Sequence, residues 1–268
     1  MAKCLLMTSI MMRNKKWEWL AFIPGLLLIL ILLETGSHLK NDRLIFPPAG
    51  EIGREFLNLL YEGETWRQIG TTLIHLMTAF LLSAGIGVIL GIAEGLIPYL
   101  HSLLRPVMTL LRSLPMIILV IVLMVLSRSY RGVPVAAACL IMVPMISEAG
   151  YEGCIRIDPD LIDVYRMNSG INLRVLFRIY LPLMSGYMKQ AFVNAFGTGL
   201  KVIVTSEYLV QTRDSLGKAV FQNYKQLEYS RLYAYTFLMI LLVIVLTGLP
   251  RLVIYCIEKQ KKPEITIG

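Results

Sequence analysis

The sequence predicts an all-α polytopic membrane protein of about six transmembrane helices, with a cytoplasmic helical hairpin between the fourth and the fifth. Three observations carry this. Of 268 residues, 56% are hydrophobic and 16% charged, against about 45–50% and about 25% in soluble domains. The apolar residues form blocks rather than stripes or alternations, and each block has the roughly 20 residues that a helix needs to cross about 30 Å of hydrocarbon. The charged residues lie mostly between the blocks, since the bilayer interior offers no water to solvate them.

The elements follow in order. Residues 1–16 form a basic tail that lacks the long apolar core and small-residue cleavage site of a secretory signal, and read as cytoplasmic. The first span is 17–36, entered through Trp17 and Trp19, whose amphipathic rings favour the interface. Residues 37–67 are polar and external. Within them Phe46-Pro47-Pro48 is a rigid break, and Ala49 to Tyr61 read as an amphipathic helix outside the hydrocarbon. The core, 68–258, holds five further spans near 71–97, 106–126, 133–150, 182–210 and 231–257. Pro98-Tyr99 and Arg105-Pro106 separate the second span from the third, and the short link Ser127 to Gly132 makes the third and fourth antiparallel neighbours. The polar stretch 151–181 interrupts the core, and 259–268 is a basic tail.

Lys and Arg number 15 on the side holding both termini, 96–112 and 150–189, and 10 on the other side. Cytoplasmic loops collect these residues. Both termini and the stretch 151–181 are therefore placed in the cytoplasm of a bacterial plasma membrane, where a soluble partner can reach the stretch.

Several function classes fall away. The net charge of +8 is spread through the loops rather than gathered on an aromatic-studded polar face, which excludes nucleic-acid binding. Cys4, Cys139, Cys154 and Cys256 form no CxxC or Cys/His cluster, so they indicate no metal centre and no disulfide framework. His38, His75 and His101 sit in different segments, and no acid pair or nucleophile with its base converges with them. A GxxxxGK[ST] phosphate loop is absent, so any ATP is bound by another chain and no cofactor is expected here.

The polar stretch carries the chemistry of interest. Residues 158–182 read DPDLIDVYRMNSGINLRVLFRIYLP. Asp158-Pro159 starts a helix well, since Asp caps free amides and Pro fits the first turn. Leu161, Ile162 and Tyr165 make an apolar face and Asp160, Asp163 and Arg166 face water; Ser169-Gly170 breaks the helix. A second amphipathic run, Leu173 to Ile179, returns the chain to the membrane at Leu181-Pro182. A short, stiff hairpin docked on the ends of spanning helices works as a lever, so a partner pressing on it can couple its own energy to the spans.

This stretch resembles the cytoplasmic loop of the permeases of type I ATP-binding-cassette importers, which has the form D-P-E-L-x-E-A-A-x-x-x-G followed by an L-P pair. Asp158-Pro159, acidic Asp160, Leu161, acidic Asp163 and Leu181-Pro182 match, and Arg166 stands where the family often has a basic residue. Val164 and Tyr165 replace the two alanines, and Ser169 takes the glycine position with Gly170 one residue late. Outside the loop, Leu44-Ile45-Phe46-Pro47-Pro48, Leu111-Arg112-Ser113-Leu114-Pro115, the run from Gly199 to Glu207 and Ser215-Leu216-Gly217 are similar to the nitrate, sulfonate and taurine branch. The resemblance implies six spans, a pair of permeases (a homodimer), two cytoplasmic ATPase subunits and an external solute-binding protein. It assigns ATPase coupling to Asp160, Asp163, Val164, Tyr165, Arg166, Ser169, Gly170, Leu181 and Pro182. It also implies a small anion, sulfonate or vitamin-like solute.

Three ionisable residues are candidates for the solute path: Lys201, Glu207 and Arg112. Charge inside an apolar block is costly without a purpose, and Lys201 could attract an anion; its bland alternatives are an internal ion pair or a snorkelling end group. Lys201 and Glu207 are six residues apart, which rules out a helical contact between them, and Glu207 reads first as structural. Arg112 is also explained, with Arg105, by the positive-inside bias. His75 reads as a packed or hydrogen-bonded residue, Glu94 and Glu148 as boundary anchors, Pro115, Pro134, Pro144 and Pro250 as packing kinks, and Gly85, Gly87 and Gly91 as a face for close helix approach. The alternative to an ATP-driven permease is a secondary carrier or channel driven by an ion gradient. Such proteins often gather several ionisable groups at mid-membrane, where this sequence offers chiefly Lys201.

Overall fold

The computed structural model describes residues 47–157 and 180–260, with side chains up to 248. The first span at 17–36, both tails, and Asp160, Asp163, Val164, Tyr165, Arg166, Ser169 and Gly170 lie outside the described residues. Among the described residues every regular element is helical: α1 Ala49–Tyr61, α2 Gly63–Leu96, α3 Pro98–Ser113, α4 Met116–Leu126, a 3-10 turn Tyr130–Gly132, α5 Val133–Ile155, α6 Leu181–Val210, α7 Leu216–Lys225 and α8 Tyr229–Gln260. They divide into two units, 47–61 with 223–237 and 62–222 with 238–260.

In the smaller unit, α1 begins directly after Pro47-Pro48. The Pro48 carbonyl accepts from the amides of Glu51 at 2.9 Å and Ile52 at 3.2 Å, and Glu51 places an acid in the first turn where the free amides favour it. Ile52 and Leu59, two turns apart, are buried while Leu57 and Tyr61 are exposed, so the helix is amphipathic. Between Asn223 and the start of α8 the chain turns through Leu227 in the left-handed region, with the Glu228 amide donating to the Asn223 carbonyl at 3.0 Å.

The larger unit is built on α2, α5 and α6. α2 has 34 residues and so is about 51 Å long, more than the hydrocarbon needs. It therefore starts at Gly63, earlier than the apolar block near 71, because Glu64, Arg67 and Gln68 continue the helix into a polar region. α2 and α5 cross closely through small residues. A Cβ on Gly87 would meet Ile146, one on Gly91 would meet Gly150, and one on Gly95 would meet Cys154. Both sets advance by four residues in the same sense, so the two helices are parallel. Two neighbouring parallel spans require the chain between them to cross back, and α3 and α4 make that crossing.

The crossing is broken, where the hydropathy pattern indicates one span over 106–126. α3 and α4 meet at 104°. Leu114 and Pro115 are extended, at φ −66° ψ 130° and φ −58° ψ 127°, and Pro115 has no amide to continue the helical ladder. The break is thus more than the packing kink that Pro115 suggests in the sequence. α4 is apolar on every side: Leu119 and Val120 are buried, while Ile117, Ile118, Ile121, Val122, Val125 and Leu126 are exposed, as suits a lipid neighbour.

Among the described residues three helical stretches are individually long and apolar enough to span a membrane, Gly63–Leu96, Tyr130–Ile155 and Tyr229–Gly248, with a fourth if the bent pair is one span. α6 is long enough at 30 residues but carries Lys189, Lys201 and Glu207. It runs antiparallel to both α5 and α2. Met184 lies against Gly153 and Gly199 against Met142 on one side, and Phe80 meets Phe192 and Phe196 edge-on at 5.6 and 4.9 Å on the other. Leu76, Met142, Ile146, Met184, Ala195 and Ile203 form the centre of the core.

Candidate functional site

Polar side chains gather at both ends of this core and along one cleft. The first end is where α2 and α5 finish and α6 begins, so the segment 158–179 attaches there. The Glu94 carboxyl, 4% exposed, accepts from the Ser147 hydroxyl at 2.7 Å and contacts His101 Nδ1 at 3.0 Å. The His101 ring stacks on Tyr151 at 3.7 Å with 4° between planes. Arg112, near the end of α3, donates to Glu148 and, at 2.5 Å, to the Pro144 carbonyl. These bonds tie the broken span to α5 and enclose a cavity of about 420 Å³. Its lining carries three basic groups, His101, Arg105 and Arg112, and three acids, Glu94, Glu148 and Glu152, so it suits no single sign of charge.

A larger cleft of about 790 Å³ continues from this cavity between α5 and α6. From α5 it takes Ile141, Met145, Glu148, Ala149 and Glu152, and from α6 Gly186, Tyr187, Gln190, Asn194 and Thr198. Both sets recur at intervals of three and four, so each is one face of its helix. Opposite that face, Met184, Met188, Ala195 and Leu200 of α6 are buried in the core. One side of α6 therefore packs in the core, and another sets Gln190, Asn194 and Thr198 on the cleft.

At the far end, Glu207 of α6 is fully buried. Its Oε2 accepts from the Thr72 hydroxyl at 2.8 Å and, at 3.4 Å, from the Gly217 amide; its Oε1 meets His75 Nδ1 at 2.7 Å. Thr72 in turn accepts from the Leu216 amide at 3.1 Å, which fixes the direction of its own hydroxyl toward Glu207. The α7 start is cut to fit. The Ser215 hydroxyl accepts from the Lys218 amide at 3.3 Å as an N-cap, and a Cβ on Gly217 would run into Tyr208 N at 2.5 Å and Glu207 Cβ at 2.6 Å. A buried carboxyl without partners is expensive, and this one joins α2, α6 and α7 through three polar contacts. Residues 75 and 94 are 19 apart on α2, about 28 Å along the helix, so the two polar ends are separated by about one hydrocarbon thickness.

The sequence-based candidates fall in different places. Arg112 lines both the end cavity and the cleft. Glu207 lies in the buried network, outside both, and His75 is its hydrogen-bonded neighbour. Lys201 is exposed on α6 and lines neither space. Leu181 opens α6 and Pro182 occupies its first turn, where a missing amide does no harm. Glu94 and Glu148, read from the sequence as boundary anchors, are parts of the end cavity. Sequence reasoning misses the cleft-lining side of α6, although its signal is in the sequence as Tyr187, Gln190, Asn194 and Thr198 at helical spacing within a mainly apolar block.

A family model described as the binding-protein-dependent transport system inner membrane component matches residues 83–261. Two solved structures, both of inward-facing conformations of the MetNI methionine ABC transporter, have a similar fold. One chain aligns with TM-score 0.61 at 18% identity, covering 75% of this chain and 96% of that one. The other, from a selenomethionine-soaked crystal form, aligns with TM-score 0.60 at 17% identity, covering 74% and 95%. No curated protein sequence matches.

Proposed function

Because the chain belongs to the family of inner-membrane components of binding-protein-dependent transport systems, we propose that it is the permease subunit of a type I ATP-binding-cassette importer, working as a homodimer with two cytoplasmic ATPase subunits and an external solute-binding protein. The observation that carries the reading is the cleft between α5 and α6, which lies inside the matched stretch and sets polar side chains from both helices, Glu148 and Glu152 with Gln190, Asn194 and Thr198, on one largely apolar space. A membrane protein has no packing reason to keep Gln190, Asn194, Thr198, Glu148 and Glu152 along one space. A water-filled route for a polar solute supplies the reason.

In this reading the end cavity and the segment 158–181 face the cytoplasm, as do both termini. Asp160, Asp163, Val164, Tyr165, Arg166, Ser169, Gly170, Leu181 and Pro182 form the surface on which the ATPase pair presses. ATP-driven closure of that pair moves the segment, and the segment moves α5 and α6, which it joins. The clasp of Arg112 on Glu148 and the Pro144 carbonyl sits at the cytoplasmic mouth of the cleft, where it can close the route or admit solute. Arg112 is thus the path residue of the three candidates. The solute class rests on the sequence resemblance to the nitrate, sulfonate and taurine permeases alone: a small anion, sulfonate or vitamin-like molecule.

Uptake into vesicles tests this. Vesicles that hold the chain with its ATPase and binding protein are expected to accumulate solute only with ATP, and the chain alone to accumulate none. In the same assay Arg112→Gln is expected to lower uptake at least tenfold. It should cost less than about 1 kcal/mol of stability, because the Arg112–Glu148 pair is partly exposed and screened. Accumulation by the chain alone under an ion gradient would establish a secondary carrier instead.

A further inference from the structure

We propose that the end of the molecule opposite the segment 158–179 binds the negatively charged group of a small solute, between Arg131, Arg213, His75 and Gln211. The assignment of this end to the outside rests on the importer reading; the binding chemistry does not. A cavity of about 400 Å³ lies here, lined chiefly by Thr71, His75, Tyr130, Arg131, Gln211 and Arg213. The lining comes from three separate elements: α2, the 3-10 turn Tyr130–Gly132, and the turn after α6.

Three observations point to an anion. First, the lining holds two guanidinium groups and no carboxylate. The nearby acids are committed elsewhere: Asp214 pairs with Arg67 at 2.8 Å, and the Glu207 oxygens are taken by Thr72 and His75. Among the described residues Arg131 and Arg213 have no ion-pair partner. A guanidinium offers a planar pair of donors that matches an oxyanion, so two facing one space form a receptor for it.

Second, Gln211 closes α6 in the left-handed conformation, φ 56° ψ 48°, and the Thr212 amide reaches back to the Glu207 carbonyl at 3.2 Å. Glycine is the favoured residue at such a helix end because any Cβ there is strained. Of the described non-glycine residues held there, Gln211, Asp214 and Leu227, Gln211 is the one that lines the cavity, and a role for its amide as a ligand accounts for a glutamine at this turn.

Third, His75 belongs to both the cavity and the Glu207 network. An anion that accepts from the other ring nitrogen shares the His75 ring with Glu207, and Glu207 contacts the start of α7 through the Gly217 amide. Occupancy of the site is thereby linked to the clamp among α2, α6 and α7.

The test uses the full chain in lipid nanodiscs, titrated calorimetrically with sulfate and methanesulfonate, with tetramethylammonium as the cationic control. Saturable binding of the anions and none of the cation is expected. The double variant R131Q/R213Q should weaken sulfate binding at least tenfold, while R131K/R213K retains part of it. Gln211→Gly should weaken binding several-fold while raising the melting temperature, a combination that a purely structural glutamine would not give. Absence of saturable anion binding by the wild type, or unchanged affinity in R131Q/R213Q with its melting temperature intact, would overturn the site. ATP-driven uptake that persists alongside such a result would leave the permease reading standing and remove this site alone.

Discussion

Replacing Glu207 by leucine is expected to lower the stability of the folded protein by about 2–3 kcal/mol, from the loss of one acceptor to three donors at roughly 0.6–1 kcal/mol each. Thr72, His75 and the Gly217 amide would all lose their partner, and Thr72 is fully buried. The melting temperature in detergent measures it. Glu207→Gln should recover about half or more of the loss, since its carbonyl still accepts from Thr72 and its amide can donate to His75 in the other tautomer. An unchanged melting temperature in Glu207→Leu would show that the network does not hold α2, α6 and α7 together. The leucine variant is also expected to expose the start of α7, because the Leu216 amide bonds to Thr72, whose orientation Glu207 fixes.

Gly91→Leu is expected to prevent assembly of the α2–α5 pair altogether. A Cβ at Gly91 would meet the Ser147 carbonyl and lie 2.8 Å from Gly150 Cα. Both obstacles are backbone, so no side chain can swing away and the helices must part. Separation also breaks the Ser147–Glu94 bond and opens the end cavity. Gly85→Ala is the matched control: nothing lies within 4 Å of its Cβ, so it should be neutral or stabilise the helix by about 0.5–1 kcal/mol. Yield of folded, monodisperse protein separates the two. Equal yields would mean that the close crossing does not exist.

The contrast between these two sites shows what the sequence makes legible. The helical class and the apolar spans are local properties, written in runs of residues, and the glycine spacing at 87 and 91 marks a close face in the same way. Which helix meets that face is not local. Ile146, Gly150 and Cys154 also repeat every four residues, but nothing in the spacing pairs them with α2 or makes the pair parallel. The Glu207 site is the extreme case, because its partners Thr72 and His75 are 135 and 132 residues away. Glutamate within an apolar block signals a buried partner without naming it.

The broken span was half legible. Pro115 is visible, yet a proline in a spanning helix can kink it or stop it, and the two differ only in whether the preceding residue stays helical. Leu114 is extended, and the helix stops. Polar residues at helical spacing on α6 were the missed signal: each one alone looks like a tolerated exception, and only their common face shows a lined space.

If a separate ATPase drives this chain through the segment 158–182, as proposed, co-purification of the ATPase with the full chain reports that coupling directly. The wild type should retain its ATPase, and the triple variant Asp163→Ala, Arg166→Ala, Gly170→Leu should lose it while keeping the wild-type melting temperature. Undiminished retention by the triple variant would contradict coupling through this segment.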